Sequence, residues 1–429
     1  MTDKPESIAG MKATLAPWDL SDRQAVSVAR VLLLAIFATM LVSTSVSIGF
    51  EFLTYATFAL VPELRRRLRL NLAHPLMVGF IVFMIPIVVG AFYGPASWYD
   101  SLTSLLAWRR ALLLPLALAV FDDEGAKRLV LKTVFTACVV GAVVSLILAA
   151  TDLQLYRWNH AIVYRNHATQ GLILSVGMII ALAALVRTDL FKGDAVLGNR
   201  MAMAAGLALC ILDIVYILPG RTGYLSVVVM GLVLVVLLAR GSWRLKAGLG
   251  LAVVALLGAA IASSSMSRQR IGQALNEFEN PEVGLRGLHG AVTGSSIGAR
   301  VIFWRNTVHM IADHPVFGVG TGGFQDGYKP YVEDVTGWQA TDTGDPHNQF
   351  LKFLGEQGIV GLAAVLFFLY RAVACPAPAP YRQLAIAAVV GWCATSMASS
   401  HFSTFVEGRM LYFWLGAMLA GPPVRTHEQ

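Results

Sequence analysis

The chain has 429 residues, of which 56% are apolar (AVILMFWYC) and 14% charged, where soluble domains carry about 25% charged residues. About 240 apolar residues suffice for roughly twelve helical spans of ~20 residues, which excludes a soluble enzyme, a disordered chain and a disulfide scaffold. The net charge of +7 suits basic cytoplasmic loops between spans better than a nucleic-acid surface. Apolar runs that are continuous rather than alternating argue against an outer-membrane barrel.

Residues 1–24 are polar and mixed in charge, lack a secretory signal, and read as a cytoplasmic tail. Apolar spans are expected near 26–43, 47–61, 75–93, 105–121, 129–150, 168–186, 201–219, 222–239, 247–263, 348–370, 383–400 and 409–421. The fold class is therefore all-α and polytopic, with about twelve transmembrane helices in a single domain over 1–429. With the N-terminus inside, the inner loops hold Arg65 to Arg69, Lys127 and Arg128, Arg187 to Arg200, Arg240 to Lys246, and Arg371 and Arg382, as the positive-inside rule expects. Both termini are then cytoplasmic. Cys138, Cys210 and Cys393 lie in apolar runs and Cys375 in a basic loop, so neither a disulfide framework nor a metal site is implied.

One long connection, 264–346, falls on the outer side. A structureless loop of that length is unusual, so a small helical insert is expected there. Within it, residues 296–312 read as an amphipathic helix with Val301, Trp304, Val308 and Ile311 on one face. Asp313-His314-Pro315 ends that helix, and Gly318, Gly320, Gly322 and Gly323 suggest a flexible segment able to close over a substrate.

Basic residues on the outer side run against the topology rules. Arg109, Arg110, Arg157, Arg165, Arg221, Arg300, Arg305 and Arg409 all fall at or near outer ends of spans. Guanidinium groups suit bidentate phosphate contact, so this group points to an anionic lipid headgroup or a pyrophosphate; ordinary lipid phosphates would also attract them one by one. Pro346-His347-Asn348-Gln349 enters an apolar span and puts His347 at an outer helix start. A neutral imidazole there could take a proton from a sugar hydroxyl; it could equally cap the helix or touch lipid. Tyr164-Arg165-Asn166-His167 and the stretch from His401 to Arg409 repeat the pattern of a polar cluster at an outer helix end. No Walker sequence, HExxH or outward Asp-x-Asp pair occurs. No intramembrane acidic relay typical of a proton-coupled transporter is obvious; Glu51 and Asp213 are the exceptions to watch.

Taken in order, these pieces resemble the O-antigen ligase family, within the superfamily of ligases and polymerases of bacterial polysaccharide assembly. The likeness rests on Pro219-Gly220-Arg221-Thr222-Gly223-Tyr224, on Arg300 with Trp304, on Pro315-Val-Phe-Gly318-Val-Gly320, and most of all on Pro346-His347-Asn348-Gln349-Phe350-Leu351 followed by Glu356-Gln-Gly358-Ile-Val-Gly361. The motifs cover about 150 residues, from 219 to 361.

The resemblance implies a C-type glycosyltransferase architecture in the bacterial inner membrane with a periplasmic active site. It implies transfer of a polysaccharide from undecaprenyl pyrophosphate to lipid A–core oligosaccharide, without metal, nucleotide sugar or other cofactor. Arg221, Arg300 and His347 inherit the family's essential roles. Arg165, His167, Arg305, Asn348, His401 and Arg409 are candidates for binding pyrophosphate or lipid phosphate. The expected partners are the two lipid substrates and membrane lipids, with no nucleic acid. A polymerase or a protein O-oligosaccharyltransferase of the same superfamily would carry similar chemistry. A lipid-linked glycan transporter is the non-enzymatic alternative, and would need polar residues through the bilayer centre.

Overall fold

The structure is a computed structural model that describes residues 21–151, 153, 155, 161–279, 297–333 and 342–421. Arg157, residues 1–20 of the expected tail, and residues 280–296 and 334–341 of the expected insert lie outside the described residues. Among the described residues every regular element is helical. In chain order the first half holds α1 (Asp22–Met40), α2 (Thr44–Leu60), α3 (Pro62–Leu70), α4 (Pro75–Gly90), α5 (Trp98–Ala107), α6 (Leu113–Val120), α7 (Glu124–Thr151) and α8 (His167–Val186). The second half holds α9 (Arg200–Leu212), α10 (Arg221–Leu238), α11 (Trp243–Ser263), α12 (Ser265–Glu279), α13 (Ile297–Asp313), α14 (Phe324–Tyr328), α15 (Gln349–Ala374), α16 (Tyr381–Thr395) and α17 (Phe405–Leu419).

The protein is a polytopic helical membrane protein. Among the described residues, eight stretches are long and apolar enough to cross a bilayer, and a ninth results if α2 and α3, bent by 88°, count as one span. Among the spans expected from sequence, those near 47–61, 75–93, 383–400 and 409–421 correspond to α2, α4, α16 and α17. These helices have 17, 16, 15 and 15 residues, below the ~20 that a full crossing takes.

Up-and-down winding gathers alternate helix ends on two faces. At the first face, Arg30 Nε donates to Val120 O at 2.6 Å, Arg67 Nη1 meets Asp122 at 3.0 Å, and Lys127 Nζ donates to Ala420 O at 2.6 Å. At the second, Arg165 Nη1 donates to Thr44 Oγ1 at 2.6 Å and Gln349 N donates to Ser396 O at 2.9 Å. Side-chain caps start the helices of the second face. Asn166 Oδ1 accepts from Thr169 N at 2.9 Å, and Asn348 Oδ1 accepts from Phe350 N and Leu351 N at 3.0 and 3.2 Å, satisfying donors that a helix start leaves open.

Three expectations are corrected. The glycine segment is a clamp, not a flexible lid. Val319 N and Gly320 N donate to Gly355 O and Glu356 O at 2.9 and 2.7 Å, and Thr321 N donates to Gly90 O at 2.8 Å. Helix α15 breaks at Gly358, where φ is 63°, and Ile359 N donates to Pro315 O at 2.9 Å. The glycines serve close approach: a Cβ on Gly318 would lie 2.5 Å from Gly355 O, and one on Gly320 2.1 Å from Tyr93 O. Second, α13 turns a different face inward. It buries Ala299, Ile302, Phe303, Thr307 and Met310, while Val308 is 54% exposed. Apolar residues occur on both faces of this helix, and the cluster with Val319, Phe324 and Tyr328 selects the one that carries Phe303. Third, Arg109 and Arg110 lie in a 3-10 turn inside the Trp98–Val120 stretch, not at the end of a span.

Candidate active site

The second face carries two polar groupings. The first is centred on Glu51, buried in α2. Arg409 pairs with Glu51, each side chain being 1% exposed, and Arg109 Nε lies 3.2 Å from it. Tyr55 Oη donates to Glu51 Oε1 at 2.7 Å. Arg409 stacks on the Phe405 ring at 3.7 Å, and Arg165 lies over that ring at 4.9 Å. The Arg409 charge is thus answered inside the protein, with no face left for a lipid phosphate. Arg110 donates to the carbonyls of Ala107 and Ser403. These arginines hold helices together, as buried charges must be paired to be tolerated.

The second grouping brings together α8, α10, α13 and the entry to α15. At the start of α10, Pro219-Gly220-Arg221 packs onto His167: a Cβ on Gly220 would lie 3.1 Å from His167 Cδ2. Gly171 of α8 meets Gly223 of α10 backbone to backbone, an approach that glycine permits. Tyr224 Oη closes the turn on Leu218 O at 3.0 Å. Arg300 rides on α13, whose Trp304 Nε1 donates to Pro346 O at 2.9 Å, directly before His347. The Arg300 charge acts on His167, His347 and His401 together, and the Arg221 charge also acts on His167. Both arginines and the three imidazoles therefore share one electrostatic neighbourhood.

His347 sits in the left-handed region with φ of 52°, uncommon for a residue with a Cβ. Its main-chain nitrogen donates to Asp345 Oδ1 at 2.7 Å. Ser400 Oγ donates to the same oxygen at 2.6 Å, and Lys352 Nζ to the other at 3.1 Å. Burial pushes the His347 imidazole below its ordinary value; the Asp345 carboxylate opposes that, and Arg300 and Lys352 add to it. Burial alone would raise the Asp345 carboxyl, but Lys352, Ser400 and His347 outweigh it and hold the group below the usual carboxylate range. The outcome at pH 7 is an ionised Asp345 beside a neutral His347, an imidazole able to accept a proton. His401 is 1% exposed, and burial lowers it too, against Glu407.

The remaining candidates take other places. Asn348 is 5% exposed and spends its side chain on the α15 cap. Arg305 is exposed on α13. Lys352 escaped sequence reading, although a lone lysine one turn inside an apolar span is a signal for a buried partner. Glu407, which accepts from Thr169 Oγ1, also escaped it. No group of three or more His, Cys, Asp or Glu able to hold a metal occurs among the described residues.

Fold and site thus define a polytopic helical membrane protein with a cationic, imidazole-bearing site at one end of its bundle. Residues 205–366 match a family model described as O-Antigen ligase, so the family resemblance carried by the motifs is borne out over that segment. Arg221, Arg300 and His347 all fall inside it; Arg165, His167, His401 and Arg409 fall outside. The O-antigen ligase of Salmonella typhimurium is 24% identical over 265 residues, 61% of this chain and 59% of that protein. A Haemophilus influenzae protein described as uncharacterized is 30% identical over 76 residues, 18% of this chain and 19% of that protein. The chain thus matches about three fifths of the length of the Salmonella relative.

Proposed function

We propose that the protein is a glycosyltransferase of the O-antigen ligase type, moving a polysaccharide from undecaprenyl pyrophosphate to lipid A–core oligosaccharide. The second face is periplasmic in this reading, both termini are cytoplasmic, and the membrane is the bacterial inner membrane. The observation that carries it is the position of Arg300 on α13, the helix whose Trp304 bonds the Pro346 carbonyl directly before His347, with its charge acting on His347 and also on His167 beside Arg221. Cations for a leaving group and a base for a nucleophile thereby adjoin.

Arg221 and Arg300 bind the donor pyrophosphate. The acceptor hydroxyl oxygen attacks the anomeric carbon, the bond from that carbon to the pyrophosphate oxygen breaks, and its electron pair goes to the pyrophosphate. The hydroxyl proton passes to the His347 imidazole. Fixed cations aimed at developing charge are worth about 10²–10³ in rate per donor, and a positioned base about 10²–10⁴. Direct displacement inverts the anomeric centre. The family resemblance implies no metal and no nucleotide sugar, and no step here requires either.

The test reconstitutes purified protein with lipid-linked glycan and lipid A–core, without ATP. Covalent transfer is expected, and His347→Ala should bind donor yet transfer little. Growth of the lipid-linked glycan instead would identify a polymerase, transfer to Ser or Thr a protein O-oligosaccharyltransferase, and movement without a covalent product a transporter. A product of retained configuration would remove direct displacement.

A further inference from the structure

A cleft of about 570 Å³ opens beside His167, walled by the outer ends of α7 and α8, the turn after α9, and helix α12. It is two-sided in chemistry. Ala149, Ile162, Ile217 and Met266 give it aliphatic walls, while His167 and Arg270 stand in its lining. The walls are fastened from behind. Helix α9 ends in a π-turn, Asp213–Ile217, and Ser267 Oγ of α12 donates to Val215 O there at 2.9 Å. The hydroxyls of Tyr216 and Ser263 meet at 2.6 Å. On the opposite lip, Gln170 Oε1 accepts from Val163 N and Tyr164 N at 2.7 and 3.1 Å, while its Nε2 donates to Asp213 Oδ1 at 3.2 Å.

His167 lines the cleft and packs against Gly220 beside Arg221, and the charges of Arg270, Arg221 and Arg300 all act on it. The cleft is therefore continuous in charge with the site that carries those two arginines. Aliphatic walls favour a hydrocarbon removed from water. A guanidinium favours a phosphate through paired N–H donors. A single ligand satisfies both when a phosphate is joined to an isoprenoid chain.

We propose that this cleft seats the pyrophosphate-proximal isoprene units of a polyprenyl pyrophosphate, with Arg270 as a third guanidinium on its pyrophosphate beside Arg221 and Arg300. This rests on the donor assignment above and adds the entry route and a determinant of donor affinity. Helix α12 acts as the wall against which the donor lies, and its Arg270 sets affinity, not the chemical step.

The experiment measures binding of farnesyl pyrophosphate, farnesol and inorganic pyrophosphate to full-length protein in nanodiscs. Farnesyl pyrophosphate is expected to bind about tenfold or more tighter than either fragment. Arg270→Ala should weaken it by about tenfold, the loss of a charged hydrogen bond, and Arg270→Lys by less. Arg268→Ala, on the same helix but outside the cleft lining, should leave binding unchanged and reports that α12 stays folded. Wild-type affinity in Arg270→Ala would overturn the proposal. So would pyrophosphate alone binding as tightly as the farnesyl compound, which would mark a plain anion site. The two readings separate in a transfer assay. Transfer with an unchanged donor KM in Arg270→Ala sinks the cleft assignment alone. Arg270-dependent farnesyl pyrophosphate binding in a protein that transfers no glycan sinks the ligase reading alone.

Discussion

Asp345 accepts the main-chain N–H of His347 at 2.7 Å and so holds it in a conformation with φ of 52°. A left-handed non-glycine residue costs about 1–3 kcal/mol and persists where its surroundings fix it. Here those surroundings are the Asp345 carboxylate, held in turn by Lys352 and Ser400, and the Trp304 bond to Pro346. Asp345→Ala should therefore lower kcat by about 10²-fold, the loss that a displaced catalytic group produces, with donor affinity near wild type. Separate measurement of kcat and donor binding checks this; a loss confined to binding would contradict the positioning role.

Glu51 and Arg409 form a different kind of pair. Each side chain is 1% exposed, so removing one charge strands the other in a dry interior, which costs about 3–5 kcal/mol. Glu51→Gln should lower thermal stability in detergent strongly. Replacing both members, Glu51→Met with Arg409→Leu, should be milder, because the one charge then left without its carboxylate is Arg109, whose side chain is 29% exposed and can reach water. Melting of the two variants side by side decides; equal losses would mean that the pair contributes shape and not charge.

Much of this was legible in the sequence because bilayer burial writes long apolar runs, and the motif order placed Arg221, Arg300 and His347 in one family pattern. What escaped reading depends on pairing between distant segments. Glu51 and Arg409 are 358 positions apart, and nothing local tells that the arginine answers a carboxylate instead of a phosphate. The face of α13 was misread because its apolar residues ring the helix, and only the packing around Phe303 selects one. Glycines at 318–323 look the same in a lid and in a clamp; the difference lies in whether other backbones come close. Arg270 sits in a polar helix where a solvated arginine is the ordinary expectation.

The clamp makes its own prediction. Gly320 has φ of 83°, and a Cβ there would fall 2.1 Å from Tyr93 O and 2.7 Å from Gly90 O. The three nearest atoms are all backbone, from Gly90 and Tyr93, so no side chain can swing away to make room. Gly320→Ala should cut the yield of folded protein and lower its melting temperature. Gly272→Ala, on α12 with nothing within 4 Å of the added Cβ, should be neutral or slightly stabilising, since alanine favours a helix by about 1 kcal/mol over glycine. Similar behaviour of the two variants would show that the segment has room to spare.

The protonation of His347 gives the last prediction. Burial, with Arg300 and Lys352, depresses the imidazole below its ordinary value, and Asp345 works against them. A base is active when unprotonated, so kcat/KM should be flat from pH 7 upward and fall with acid, the limb lying below the ordinary imidazole value of about 6.5. The sign of each neighbour follows. Asp345→Asn removes the group that raises the imidazole, so the limb should move to lower pH even as the rate falls. Arg300→Gln removes a group that lowers it, so the limb should move to higher pH. Because a structural defect would scale the whole profile without sliding it, opposite displacements in the two variants are specific to His347. A limb above pH 7 in the wild type, or one that moves the same way in both variants, would assign the titrating base to another residue.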